Sequence, residues 1–178
     1  MRRLAGAVAP WSYTAEHEQH TAPVTDPTEE MQMEASSEYP KVKDGEGYAV
    51  GQLDDLGEGP GFRKVRKGLG VTAFGVNAIV MPPGIETGFH YHDVQEELYF
   101  VHRGSIEMEF GDGSVERLGE GAFVRVDAPT VRKIRNPGEV EAVYLCAGGK
   151  DGYIGRDGRV PEGEEQRVSP IGGSGERA

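Results

Sequence analysis

The sequence predicts an all-β protein, a small barrel or double-sheet jelly roll, on three observations. Short apolar runs of strand length recur from Gly70 to Cys146, tight-turn residues separate them, and no segment carries a strong amphipathic helical pattern. Composition points the same way: 27 of 178 residues are glycine, about twice the usual share of roughly 7%, and 11 are proline. Periodicity alone leaves barrel and sandwich open.

At this length one domain is the default, with room for extensions. Residues 1–37 form a leader rich in Thr, Glu, Pro, Ala and Ser; it has too little apolar surface to offset the entropy of ordering, so disorder is expected. Arg2-Arg3 and the apolar Leu4–Ala9 faintly resemble a secretory signal, but that apolar core is short and Pro10-Trp11 closes it. His17 and His20 read as solvated side chains of this tail, and Met31 and Met33 as alternative starts. Residues 38–148 form the barrel, with its core at 70–148; 149–178 return to Gly, charge and Pro as a partly disordered tail.

Within 38–70, the basic run Phe62–Lys67 is expected to be a solvated strand edge or turn, since charged edges discourage wrong pairing. Phe74, Val76, Ala78 and Val80 alternate with Gly75, Asn77 and Ile79, a strand that stops at Pro82-Pro83-Gly84. The His90-Tyr91-His92 strand and the run from Glu97 to Val101 follow. Ile106, Met108 and Phe110 then alternate with Glu107 and Glu109, one apolar and one wet face. Gly111-Asp112-Gly113-Ser114 is a hairpin turn, because Asp-Gly supplies the positive φ that tight hairpins need. Val115–Leu118 returns, Gly119-Glu120-Gly121 turns again, and Ala122–Val126, Val131–Arg135 and Val140–Cys146 complete the set. In the tail, Asp157-Gly158 reads as a second turn, with Tyr153 and Ile154 packing on the barrel.

The net charge of −11 argues against general nucleic-acid binding, which needs a basic surface. A single cysteine, Cys146, excludes an internal disulfide, and no apolar run approaches the roughly 20 residues of a membrane helix. A cytoplasmic location is expected.

The chemistry concentrates at residues 84–104. His90 and His92 lie on one face of an extended strand, since side chains alternate with period two. If the strand opened by Glu97 is a neighbour, both imidazoles and the carboxylate converge, a ligand set that suits iron(II), or zinc in hydrolytic sites. The stretch resembles the first cupin motif: Gly, five residues, His-x-His, four residues, Glu, six residues, Gly. Gly84, His90, His92, Glu97 and Gly104 all fall on it. The resemblance implies a conical jelly-roll barrel with the site in its mouth, and a homodimer joined through the sheets. It does not name a reaction, because cupins include isomerases, dioxygenases, decarboxylases, sensors and storage proteins.

A second cupin motif runs Gly, five residues, Pro-x-Gly, two residues, His, three residues, Asn. Here Gly121 and Asn136 match, Asp127 and Pro129 replace Pro and Gly, and Arg132 stands where the usual fourth ligand, histidine, belongs. Arginine has no lone pair to offer a metal. Three outcomes stay open: His90, His92 and Glu97 hold a metal while Arg132 points elsewhere or clamps an anionic substrate; Arg132 pairs with Glu97 in place of the cation; or Arg132 faces solvent. Tyr99 shares the face of Glu97 and is a second substrate-binding candidate. His102 falls on the opposite face, Arg125 and Asp127 read as surface charges, and Cys146 as a small buried apolar side chain.

Two functions follow as expectations. One is a metal-dependent cupin, such as a dioxygenase or isomerase, that uses iron, manganese, zinc or nickel on a small, anionic organic molecule. The other is a metal-free, non-catalytic binding or sensing barrel built on Glu97 and Arg132.

Overall fold

The structure is a computed structural model that describes residues 42–164. The leader with His17 and His20, and the tail beyond Glu164, lie outside the described residues. The described chain opens with a hairpin, β1 (Lys43–Gly45) and β2 (Tyr48–Val50), and a 3-10 turn at Leu53–Leu56. There follow β3 (Gly61–Arg63), one helical turn α1 (Val65–Gly68) and β4 (Gly75–Met81). The remaining strands are β5 (Tyr91–His92), β6 (Glu96–Arg103), β7 (Ser105–Phe110), β8 (Val115–Gly119), β9 (Phe123–Val126), β10 (Arg132–Arg135), β11 (Ala142–Gly149) and β12 (Gly158–Arg159).

The strands form a double-sheet jelly roll. An antiparallel five-stranded sheet runs β3-β4-β11-β6-β9, and a three-stranded sheet runs β10-β7-β8. The pair β12-β5 joins the second sheet through antiparallel bridges, His90 to Arg132 and Glu86 to Arg135. These bridges place His90 beside Arg132, about forty residues apart in sequence.

The core lies between the sheets: Ile79 and Met81 from β4, Tyr99 and Val101 from β6, Ile106 and Met108 from β7, Val126, Ile134, Ala142 and Tyr144. Side chains of this kind contribute about 1.5–3 kcal/mol each on full burial. On β4, Ile79 and Met81 enter this core, while Ala78 and Val80 are buried on the other face. The β7–β8 turn is as expected: Gly113 takes φ +83°, and Asp112 Oδ1 accepts from the Ser114 amide and hydroxyl. Asn136 closes the end of β10 by donating from Nδ2 to the carbonyls of Met81 and Val140.

Two expectations need correction. Asp157-Gly158 is not a hairpin turn; Gly158 and Arg159 pair with His92 and Tyr91, so the segment after the barrel adds a strand beside the histidines. The basic run is also not uniformly solvated. β3 is an edge strand, but Arg63 is buried and donates from Nη1 to the Gly59 carbonyl (2.7 Å), while Arg66 stacks on the Tyr153 ring, 3.8 Å from its centroid.

Candidate functional site

The inward face of β6 carries Glu97, Tyr99 and Val101 at spacing two, so a carboxylate, a phenol and a core side chain line up along one strand. Its neighbour β11 places Gly148 opposite Glu97 and Cys146 opposite Tyr99. A Cβ on Gly148 would lie 3.0 Å from Glu97 Cγ and 3.1 Å from the Glu96 carbonyl oxygen, so the glycine makes room for the carboxylate. From the other sheet, His90 and His92 face Glu97. One ligand atom from each of the three residues lies within 4.8 Å of the others.

Each of these groups is held from behind. His90 Nδ1 is 3.3 Å from the Gly88 carbonyl; a carbonyl only accepts, so Nδ1 carries the proton and Nε2 keeps its lone pair. His92 Nδ1 lies 2.7 Å from Gln95 Nε2, an amide nitrogen that only donates, which leaves the proton on Nε2, 3.3 Å from Glu97 Oε1. Behind His92 sits the buried Asp157. Its Oδ2 accepts from the amides of Val94 (3.2 Å) and Gln95 (2.9 Å) and is 3.6 Å from His92 Nδ1.

The two oxygens of Glu97 have different tasks. Oε2 accepts from Arg132 Nη2 and from the Tyr99 hydroxyl, whereas Oε1 faces His92. Arg132 is 0% exposed, with Nε 3.3 Å from the Tyr99 oxygen and Nη1 donating to the Thr130 carbonyl at 3.1 Å. It therefore neither points away from the cluster nor faces solvent, and it lines neither of the cavities described below. As a clamp for substrate it is badly placed, because all three guanidinium nitrogens have partners inside the protein.

Burial opposes ionisation of Glu97, but hydrogen bonds from His92 and Tyr99 and the charge of Arg132 outweigh it and hold the carboxyl well below its usual range. Burial, with Arg132 nearby, lowers His90 to about 4, so it is neutral at ordinary pH. Burial pushes the Tyr99 phenol and the Cys146 thiol upward.

Two cavities meet at this cluster, sharing Phe62, His92, Glu97 and Cys146. One, a chamber of about 280 Å³, has mainly apolar walls that include Ile79, Ile134 and Tyr144 beside His90 and Tyr99. The other, a vestibule of about 240 Å³, is more polar and is walled by Asn77, Gln95 and the post-barrel residues Tyr153, Ile154, Arg156, Asp157 and Gly158. Cys146 packs against the core cluster as an apolar side chain, is partly rather than fully buried, and also lines the chamber. Tyr99 reaches the chamber too, but its hydroxyl is given to Glu97. His102 is exposed, and Arg125 forms exposed ion pairs with Glu96 and Asp127, both at 2.6 Å.

Sequence reasoning missed Gln95, Arg156 and Asp157. Gln95 lies three residues after His92 and had a local signal; the other two are brought in by a strand pairing across more than sixty residues, which no local pattern encodes.

The donor set fits a divalent cation. Glu97 Oε1 is not engaged by Arg132, and His90 Nε2 has a free lone pair backed by Nδ1–H at the Gly88 carbonyl, the usual support of a metal-binding histidine; His92 completes the set when its proton moves from Nε2 to Nδ1, toward Asp157 Oδ2 at 3.6 Å or a turned Gln95 amide oxygen.

A protein-family model described as "Cupin domain" matches residues 77–148. No curated protein matches the sequence. Among solved structures, a sugar phosphate isomerase of the cupin superfamily from Silicibacter pomeroyi is 24% identical over 50% of this chain and 58% of its own, with a TM-score of 0.47. A conserved protein with a double-stranded β-helix domain from Klebsiella pneumoniae is 20% identical over 51% of this chain and 76% of its own, with a TM-score of 0.46. A DMSP lyase from Ruegeria pomeroyi is 26% identical over 52% of this chain and 46% of its own, with a TM-score of 0.45. The similarity therefore spans less than two thirds of the isomerase and less than half of the lyase.

Proposed function

Residues 77–148 being a cupin domain, we propose that the chain binds a divalent metal ion through His90, His92 and Glu97 and there binds or transforms a small organic molecule. The observation that carries this reading is the convergence of three ligand atoms within 4.8 Å, each from a residue whose remaining polar atom is already engaged. His90 Nε2, His92 Nε2 and Glu97 Oε1 would hold the ion, which would supply Lewis acidity. Iron, manganese, zinc and nickel all suit imidazole and carboxylate donors. At about 280 Å³ the chamber falls just below the roughly 300–1,000 Å³ typical of small-molecule sites, which favours a fragment-sized ligand.

A second reading has its own support. The wholly buried Arg132 already neutralises Glu97, as it would in a metal-free binding barrel. Removing a buried ion from its partner is costly, whereas the pair itself adds little stability, so this pair points to a role other than stability.

Elemental analysis of tag-free protein, beside a His90→Ala/His92→Ala variant, separates the two. Near-stoichiometric metal that disappears in the variant is expected. No metal in either protein, even after incubation with excess ions, would overturn the metal reading and leave Glu97–Arg132 as the centre of a binding pocket.

A further inference from the structure

We propose that Arg156 sets ligand specificity here, and that the ligand is a small amphipathic carboxylate with its charged end at Arg156 and its apolar part in the chamber. This deepens the reading above and rests on it for the location of the site, but not on the presence of a metal.

Glu97 in the chamber wall is neutralised by Arg132, and the Asp157 carboxylate is buried against two backbone amides. Arg159 pairs with Asp93, and Arg66 covers the Tyr153 ring. Arg156 remains: it lines the vestibule, is exposed, and its guanidinium forms no ion pair or hydrogen bond among the described residues. In a chain of net charge −11, an unpaired cation in the wall of a cavity is an attractive point for an anion.

Placement supports it. Arg156 takes φ +59°, a conformation uncommon outside glycine, and lies between two anchors: Tyr153 under Arg66 on one side, and Asp157 with the β12–β5 pairing on the other. The side chain is thus presented from a fixed strap rather than a free tail. The vestibule, more polar than its neighbour, adjoins a chamber with mainly apolar walls at the residues they share. That polarity sequence matches a molecule with an anionic end and an apolar end, and guanidinium is the side chain best shaped to grip a carboxylate with two parallel hydrogen bonds.

The test compares hexanoate with hexanamide, which differ in charge but little in shape, by calorimetric titration at low salt. Each is measured on chelator-treated and on Co²⁺-loaded protein, for the wild type, Arg156→Gln and Arg156→Lys. In chelator-treated wild type, where no metal can hold a carboxylate, hexanoate should bind about tenfold more tightly than hexanamide. Arg156→Gln should bring the two ligands to within about twofold, Arg156→Lys should fall between, and Tm and Co²⁺ affinity should stay at wild-type values. A preference that survives in Arg156→Gln, or the absence of saturable hexanoate binding to wild type, would overturn the proposal. If Co²⁺ fails to bind wild type while the preference still depends on Arg156, the metal reading falls and this one stands.

Discussion

Replacement of Arg132 by methionine is the sharpest perturbation of this site. It removes a fully buried cation and leaves the Glu97 carboxylate with only Tyr99 and His92 as partners. Two unit charges about 4 Å apart attract by about 4 kcal/mol at an effective dielectric constant of 20. Breaking a buried pair from one side typically costs 3–5 kcal/mol, so Arg132→Met should lose about 4 kcal/mol, or about 10 °C in Tm for a chain of this size. Glu97→Gln alone should cost a similar amount, because it strands the guanidinium. The double variant Arg132→Met/Glu97→Gln should return to within about 1–2 kcal/mol of wild type, since a buried pair replaced by uncharged groups is often close to neutral. Urea denaturation of chelator-treated protein, followed by two probes to verify a two-state transition, measures all four corners of the cycle. A cost below about 1 kcal/mol for Arg132→Met, or a double variant that simply sums the single losses, would refute the reasoning. Manganese(II) added back should stabilise Arg132→Met more than wild type, because the ion takes over neutralisation of Glu97.

Three further outcomes follow from the same geometry. Asp157→Ala should weaken Co²⁺ binding by about 10–100-fold in an absorbance titration, with Asp157→Asn milder because it keeps an acceptor for the amides of Val94 and Gln95. Gly148→Ala should cost about 1–3 kcal/mol by overpacking against Glu97 Cγ and also weaken Co²⁺ binding; wild-type behaviour on both counts would mean that Glu97 shifts freely. Nitrogen-15 NMR should find His90 protonated at Nδ1 in every state. His92 should be protonated at Nε2 without metal and at Nδ1 with zinc, as the Gln95 amide turns its oxygen inward; an unchanged His92 would count against its being a ligand.

The architecture and the three candidate ligands were legible in the sequence because each is written locally. Strand-length apolar runs, Asp112-Gly113 and the His90-x-His92 spacing follow from period-two geometry and turn chemistry, and Glu97 needed only that its strand lie opposite. The rest was not legible because it depends on contacts between distant segments. Nothing near Asp157 indicates that Gly158 will pair with His92, so a residue that supports the site looked like part of a tail turn. The same pairing brings Arg156 to the vestibule.

Arg132 is the instructive intermediate. Its position could be read from the second motif, and so could its inability to ligate a metal; its burial could not, since a charge on an inward strand position normally argues against the register. What makes it tolerable is that Glu97 presents two oxygens in two directions. Arg132 and Tyr99 take Oε2, and Oε1 stays directed at His92. The guanidinium therefore fixes the orientation of the carboxylate without using the oxygen a cation would need. Its positive charge must at the same time lower the affinity for any divalent ion held at Oε1, by the same Coulomb attraction that secures Glu97, now acting with opposite sign.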